Sequence, residues 1–515
     1  MSDHPTPSRP SNINILTLNC WGLKYLAKHR RERLDEIGRQ IALADPVPDI
    51  VGLQECWVHA DYRAIREHCR TILPHGKFYH SGIFGGGLAI LSRWPPEESS
   101  MFQYPLNGRP TAFFRGDWFV GKGVACAKIR YGPADKDVAE VFCTHLHAPY
   151  EREPNDSYIC HRTAQAWEIS KLMRGAHARG HLVIGLGDFN MLPLSLAHRL
   201  ISTHGRVTDV WRALVPDSSL GAAIDEVEQK RGLPVPSASH NLAVNGATCD
   251  SVLNTWRWNK AHQKRLARGE DITVDPKTTD PRAKRLDYIF FAAGESHDAA
   301  WAVTRAHVGM TDRHPSLRCS LSDHFSVEAT VACTPASRGV DPEKAPPPEP
   351  SLVIEPPVSP RASESGQGIS AAPALPSAAL LPPATYTAIL ALVSSYTRRQ
   401  RRQRRLFLSL FLASVPLCIA CLVGLWFGPV RRTVYAPFLL ALGSTLGLAA
   451  GVVVGLIGGL FVGAELRALK EFEWEMRNAR RASRRAAAEA AGPGKEGVDG
   501  EDSEGEEAVR DWYDE

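Results

Sequence analysis

The sequence predicts an α/β domain over residues 13–333, followed by a linker and a membrane hairpin. Three observations predict it. Residues 13–333 alternate short apolar runs with stretches of helical periodicity. Residues 335–383 hold 13 prolines in 49 positions, a composition that cannot bury enough surface to offset its ordering entropy. Beyond them lie two apolar runs, 406–428 and from about Val434 to Ala464, each about the 20 residues that span a bilayer core.

The elements follow in chain order. Residues 1–12, MSDHPTPSRPSN, lack an apolar signal core, so they read as a disordered, cytosolic N-terminus without a secretory signal. NILTLNCWG (14–22) begins as a strand ending at Asn19. Leu34, Ile37 and Ile41 recur at helical spacing, and Pro46 and Pro48 stop that helix. DIVGLQE is a strand delivering Glu55, and VFCTHLHA presents His145 near its end. Ile169, Leu172, Met173 and Ala176 form a helical stripe. HLVIGLGDFN is a buried strand bringing Asp188 and Asn190, two positions apart and therefore expected on one face. RLDYIFF brings Asp287, and LSDHFSVEATV places Asp323 and His324 at the start of a last strand. Any one of these polar residues has a plain explanation as a cap, turn former or surface group. Their repeated delivery at strand ends points to a site on one rim of a sheet assembly.

The C-terminal segments are divided by charge. The linker runs over 334–397, and the basic juxtamembrane segment 398–405, RRQRRQRR, carries six arginines. The spans are 406–428 and 434–464. The tail, 465–515, is first basic (Arg467, Lys470, Arg477, Arg480, Arg481) and then acidic. Cations at both outer flanks predict a hairpin with both termini and the N-terminal domain on the cytosolic face of an endomembrane. The odd count of 11 cysteines agrees with a reducing compartment. Gly443, Gly447, Gly451, Gly455, Gly458, Gly459 and Gly463 offer a small-residue face for helix packing. The arginine run Arg398–Arg405 is expected to meet anionic phospholipids. A net charge of only +4 gives no reason to expect a nucleic-acid partner, and no oligomeric state is legible.

The motifs LNCWG, LQE, THLHA, GDFN, RLDYIFF and SDHF, in this order, resemble the endonuclease/exonuclease/phosphatase superfamily with its deoxyribonuclease I-like fold. With SGIFGGGLAILSRWP (81–95) and the hairpin, they resemble more narrowly the membrane-anchored neutral sphingomyelinases and fungal inositol phosphosphingolipid phospholipases C. The resemblance implies a four-layer α/β/β/α sandwich and a Mg(II)-dependent phospholipase C that cleaves phosphosphingolipids to ceramide and a phosphorylated headgroup. It implies Glu55 as principal metal ligand with Asn19 beside it, and His324 as general base oriented by Asp287. Asp323 is implied as a metal- or water-linked carboxylate. His145 would stabilise the phosphoryl group or protonate the leaving alkoxide, and Asp188 and Asn190 would position water and phosphate oxygens. His147 is given a minor structural role.

GDWFVGKG (116–123) superficially matches a phosphate-binding loop. Gly123 stands where a magnesium-binding hydroxyl belongs, however, and VACAKIRY continues as a strand, which argues against an NTPase. Lys122 is instead expected near the site, engaging phosphate or a carboxylate such as Asp117. Residues from about Pro216 to Arg285 read as an insertion whose NGATCDSVLNTWRW loop lines a headgroup pocket through Asn254 and Trp256. The alternatives kept open are a phosphoinositide phosphatase, a nuclease of the same superfamily, and a membrane scaffold with an inactive fold.

Overall fold

In a computed structural model, residues 8–151, 155–295, 299–334 and 380–490 are described. Residues 1–7, residues 335–379 of the expected linker and the acidic end of the tail lie outside them. The chain forms two units, Met1–Ala379 and Leu380–Glu515.

Among the described residues, twelve strands build the first unit. In chain order they are β1 (Asn12–Asn19), β2 (Ile50–Gln54), β3 (His75–Tyr79), β4 (Leu88–Ser92), β5 (Pro96–Gln103) and β6 (Gly123–Arg130). Then come β7 (Val138–His145), β8 (Leu182–Asp188), β9 (Thr208–Asp209), β10 (Asp287–Ala292), β11 (Ala300–Gly309) and β12 (Ser326–Thr334). One six-stranded sheet has the order β11-β12-β1-β2-β4-β3, and the other β5-β6-β7-β8-β10-β9. The inner faces enclose a core that includes Ile15, Ile50, Val141, Ile184, Leu186, Ile289 and Val327. A second core packs Leu34, Ile37 and Ile41 of the helix Arg30–Ala42, with Ile65 of the helix His59–Cys69, onto the back of the first sheet. The helix Ile159–Ala178 covers the other sheet, with Ile169, Met173 and Ala176 buried, so the layers are α/β/β/α.

The topology explains why polar groups gather at one rim. Each sheet has a parallel pair at its centre, β1 with β2 and β7 with β8, so those strands end on the same side. The flanking strands β12 and β10 run antiparallel to them, so they begin where the parallel pair ends. Hence Asn19, His145 and Asp188 close their strands at the rim where Asp287 opens its own. In register, His145 and Asp287 both face Asp188.

Several boundaries differ from expectation. The helix Pro383–Gly424 starts inside the expected linker and runs unbroken through the arginine run and into the first apolar segment. Pro383 stands at its start, where a missing N–H costs no bond, and Tyr386, Ile389, Val393 and Tyr396 then bury one face. The second apolar helix, Ala436–Leu456, continues through a wider turn at Ile457–Phe461 into Val462–Ala490, well past Ala464. Both are long and apolar enough to cross a membrane. Of the expected glycine face, Gly451, Gly455 and Gly458 lie against Ser414, Phe411 and Phe407 of the partner helix. Gly443 and Gly447 meet nothing, because the i, i+4 row drifts around the helix. All eleven cysteines are free thiols, and Cys418 and Cys421 form a Cys-x-x-Cys pair inside the first apolar helix.

Candidate active site

Asn19 ends β1 with its amide spent on three partners. Its nitrogen donates to Glu55 Oε1 at 3.1 Å and to Asp188 Oδ2 at 3.0 Å, while its oxygen accepts from the Trp21 N–H at 3.0 Å. Two carboxylates call for a donor, so the nitrogen faces them and Asn19 acts as a tether between the sheets. Glu55 follows β2 in a left-handed conformation (φ 53°), which turns its carboxylate out of the strand and into the cleft. Its Oε2 is buried with no hydrogen-bond partner. Burial first, then the nearby Asp323 carboxylate, hold the Glu55 carboxyl above its ordinary range against the pull of Asn19. Asp323 is half-buried and accepts a long bond from the Ser322 hydroxyl.

His324 sits just before β12, between two acids. Its Nδ1 lies 2.8 Å from Asp287 Oδ2, and its Nε2 lies 3.9 Å from Asp188 Oδ2. Burial alone would depress this imidazole, but Asp287 and, more weakly, Asp188 raise it well above the usual histidine range. The Thr248 hydroxyl donates to the same Asp287 oxygen at 2.6 Å, fixing the carboxylate that fixes the ring. Ser322 ties this corner to the other sheet: its hydroxyl donates to Asn19 O at 2.6 Å and accepts from the His324 N–H at 3.2 Å.

On the opposite side, His145 Nε2 approaches Asp188 Oδ2 to 3.5 Å. Burial, then the charges of Lys122 and His324, hold His145 well below its ordinary value, so it is neutral. Burial and the Asp287 charge push Asp188 up to about 7. Asn190 lies beyond the end of β8 in a left-handed turn (φ 46°), so strand alternation does not place it. Instead its N–H folds back onto Asp188 Oδ1 at 3.0 Å, and its side-chain nitrogen donates to Leu146 O at 3.1 Å. Lys122 is buried, and its ammonium donates to the carbonyls of His145 and Leu146, both at 3.2 Å. Burial lowers its pKa, opposed by the charges of Asp117, Glu55 and Asp188. His147 is fully buried against Tyr158, away from the cleft.

The expected headgroup loop is corrected in part. Asn254 is fully buried, capping a short helical turn through Trp256 N–H and donating to Ser322 O at 3.0 Å. It holds the 322–324 segment and cannot meet a headgroup. Trp256 is half-buried and packs on Trp21 with ring centroids 4.8 Å apart, beside the Asn19–Glu55 corner. The insertion supplies Thr248, a site residue that sequence reasoning missed.

A hard cation fits this corner. The orphaned Glu55 Oε2 and Asp287 Oδ1 are buried oxygens without donors in a cluster of acids. Asp188, Asp287 and His324 also bring one ligand atom each within 4.8 Å of one another. That trio contains a bonded base–acid pair, so Glu55 Oε2 is the freer ligand.

Residues 16–324 match the endonuclease/exonuclease/phosphatase family. The chain is 42% identical over 321 residues to "Inositol phosphosphingolipids phospholipase C" of Schizosaccharomyces pombe, covering 62% of this chain and 68% of that protein. A Saccharomyces cerevisiae protein of the same name is 34% identical over 65% of this chain and 66% of its own. "Sphingomyelin phosphodiesterase 2" of Homo sapiens is 35% identical over 205 residues, 40% of this chain and 47% of that one. Sphingomyelinase C from Streptomyces griseocarneus aligns in structure with 17% identity and a TM-score of 0.39, over 62% of this chain and 99% of its own.

Proposed function

Since the chain belongs to the endonuclease/exonuclease/phosphatase family, among relatives named inositol phosphosphingolipid phospholipases C and neutral sphingomyelinases, we propose that it is a magnesium-dependent phospholipase C. Its substrates are phosphosphingolipids, and its products are ceramide and a phosphorylated headgroup. The carrying observation is the Thr248–Asp287–His324 chain, which fixes His324 with its Nε2 3.9 Å from Asp188 among buried acids.

Asp287 holds the imidazole proton at Nδ1, leaving Nε2 to take the proton of the attacking water. That water adds to phosphorus as the bond to the ceramide C1 oxygen breaks; the departing alkoxide takes a proton from solvent to become the ceramide hydroxyl, and His324 returns the proton it took to solvent. Neutral His145 donates a hydrogen bond to the phosphoryl group or the departing oxygen. Asn190 and Asp188 are fixed to each other, so they present a rigid floor for water and phosphate. Lys122 acts from behind, holding the His145–Leu146 backbone. Glu55 would hold the metal through its orphaned Oε2, with Asp323 beside it as a metal- or water-linked carboxylate. Bound magnesium supplies positive charge that stabilises the phosphate oxygens in the transition state.

The two apolar helices anchor the enzyme in the bilayer that contains its substrate, with both ends on the cytosolic face. Tethering raises the effective concentration of enzyme over lipid. Ceramide formation from sphingomyelin and from inositol phosphosphingolipid, in vesicles with and without magnesium, tests the reading. Ceramide from at least one, dependent on the metal and needing more metal in Glu55→Gln, is the expected outcome. A magnesium-independent rate would remove Glu55 from its role.

A further inference from the structure

Two loops beside the cleft carry large apolar side chains into solvent. Ile83 and Phe84 are 72% and 61% exposed, and Phe113 and Phe114 are 52% and 76% exposed. Backbone bonds join them: Phe113 O accepts from Gly116 N–H at 3.1 Å and Gly116 O from Phe119 N–H at 3.0 Å, and Phe119 carries the ridge on to the other loop. The N–H groups of Ile83 and Phe84 both donate to Phe119 O, at 2.9 and 3.0 Å, and the Phe84 and Phe119 rings lie 5.5 Å apart. Gly82 (φ 53°) lies directly against the Gly121 backbone, where a Cβ would collide, so the loop is fixed in its raised position.

The ridge is wired to the site from both ends. Gly87 O, closing the first loop, accepts from Cys56 N–H beside Glu55 at 3.0 Å. Gly121 precedes Lys122, whose ammonium holds the His145 carbonyl.

A second projection is also tied to the Glu55 corner. Tyr25 and Leu26 are 86% and 74% exposed, in KYLAKHRR (24–31), which has four cations and no acid. This segment is tied to the cleft by Gly22 N–H on Glu55 O at 3.0 Å and by Arg33, which bonds both Lys28 O and Trp21 O. Lys24 lies over the Tyr25 ring at 5.2 Å, and Arg115 lies over the Tyr150 ring at 4.3 Å.

Aromatic and aliphatic tips that project singly into water, interleaved with cations, suit one partner: the headgroup layer of an anionic bilayer. The apolar tips enter the acyl boundary and the cations stay with phosphates. A protein groove would need a continuous apolar face, and a nucleic acid has no acyl layer for Phe114 or Leu26. The same chain carries two helices apolar enough to cross a membrane, so a lipid surface is within its reach.

We infer that the Ile83–Phe84 and Phe113–Phe114 tips, with Tyr25 and Leu26 of the segment tied to Glu55, insert into the lipid surface and seat the active-site mouth on it. The inference rests on the lipid substrate proposed above. It separates the membrane contacts of this enzyme into an anchor that keeps it at the membrane and a wedge that brings the cleft to the headgroups.

The test uses the full chain in vesicles of phosphatidylcholine and phosphatidylserine containing the substrate. Phe84→Trp and Phe114→Trp are compared with wild type and with Leu233→Trp, an exposed position in the long insertion. With acyl chains brominated near the headgroup, the added fluorescence at 84 and 114 is expected to be quenched at least twofold, and that at 233 unchanged. The double variant Phe84→Ser/Phe114→Ser should then turn over vesicle substrate at least tenfold more slowly, with turnover of a short-chain monomeric substrate within twofold of wild type. Unquenched fluorescence at both tips, or equal losses on both substrates, overturns the inference and leaves the phospholipase reading intact. Quenched tips in the Trp variants, with no ceramide made by the wild-type chain, would overturn the substrate instead.

Discussion

His324 draws its character from groups on three separate segments. Asp287 opens β10, Thr248 sits in the long insertion, and Asp188 ends β8. Replacing Asp287 with Asn removes the charge that raises the imidazole. The sign follows directly: the protonated form loses stabilisation, so the ring deprotonates at lower pH. In Asp287→Asn the acid limb of the rate profile should move to lower pH, while the plateau rate falls by roughly 10²–10⁴-fold as orientation is lost. A pH–rate profile measures both. A limb that stays in place would mean that another group sets it. Thr248 was not legible beforehand, because a threonine in an irregular loop carries no period. Its partner is 39 positions away, and only the fold closes that gap. Asn254 misled for the opposite reason: a polar side chain in a polar loop reads as a ligand contact, and here it is consumed by a cap and a carbonyl.

At the level of elements, the site is a consequence of strand direction. Apolar runs that end in Asn, Glu, His or Asp were readable, and each residue duly lies at or just past a strand end. The pairing was not readable, since parallel centres with antiparallel neighbours depend on which strands meet. Asn190 shows the limit of alternation: the strand stops at Asp188, and a left-handed turn sets the next two residues. Gly187, immediately before Asp188, has φ 146°, and a Cβ there would strike the Thr144 carbonyl of β7. Gly187→Ala is therefore expected to lower unfolding stability by about 1–3 kcal/mol. It should reduce activity as well, by pushing Asp188 away from His145. Thermal melting beside a turnover assay separates it from an ordinary surface glycine, whose replacement would change neither.

The whole molecule joins a cleft-bearing sandwich to a pair of apolar helices. Composition located both, because a run of about 20 uncharged residues and a mixed α/β pattern differ in their averages. The helix ends were less legible. Charged, helix-forming sequence on either side of the apolar runs lets the backbone continue, so Pro383–Gly424 and Val462–Ala490 extend well outside them. The proposed reaction names one bond: water arrives from the His324 side and the ceramide oxygen departs. Isotope tracing tests this most directly. Vesicle-bound phosphosphingolipid is hydrolysed by the full chain in ¹⁸O-water, and both products are weighed by mass spectrometry. The account predicts unlabelled ceramide and a phosphorylated headgroup carrying one ¹⁸O, both lost in His324→Gln. Inorganic phosphate in place of ceramide, or ¹⁸O in the ceramide hydroxyl, would contradict it.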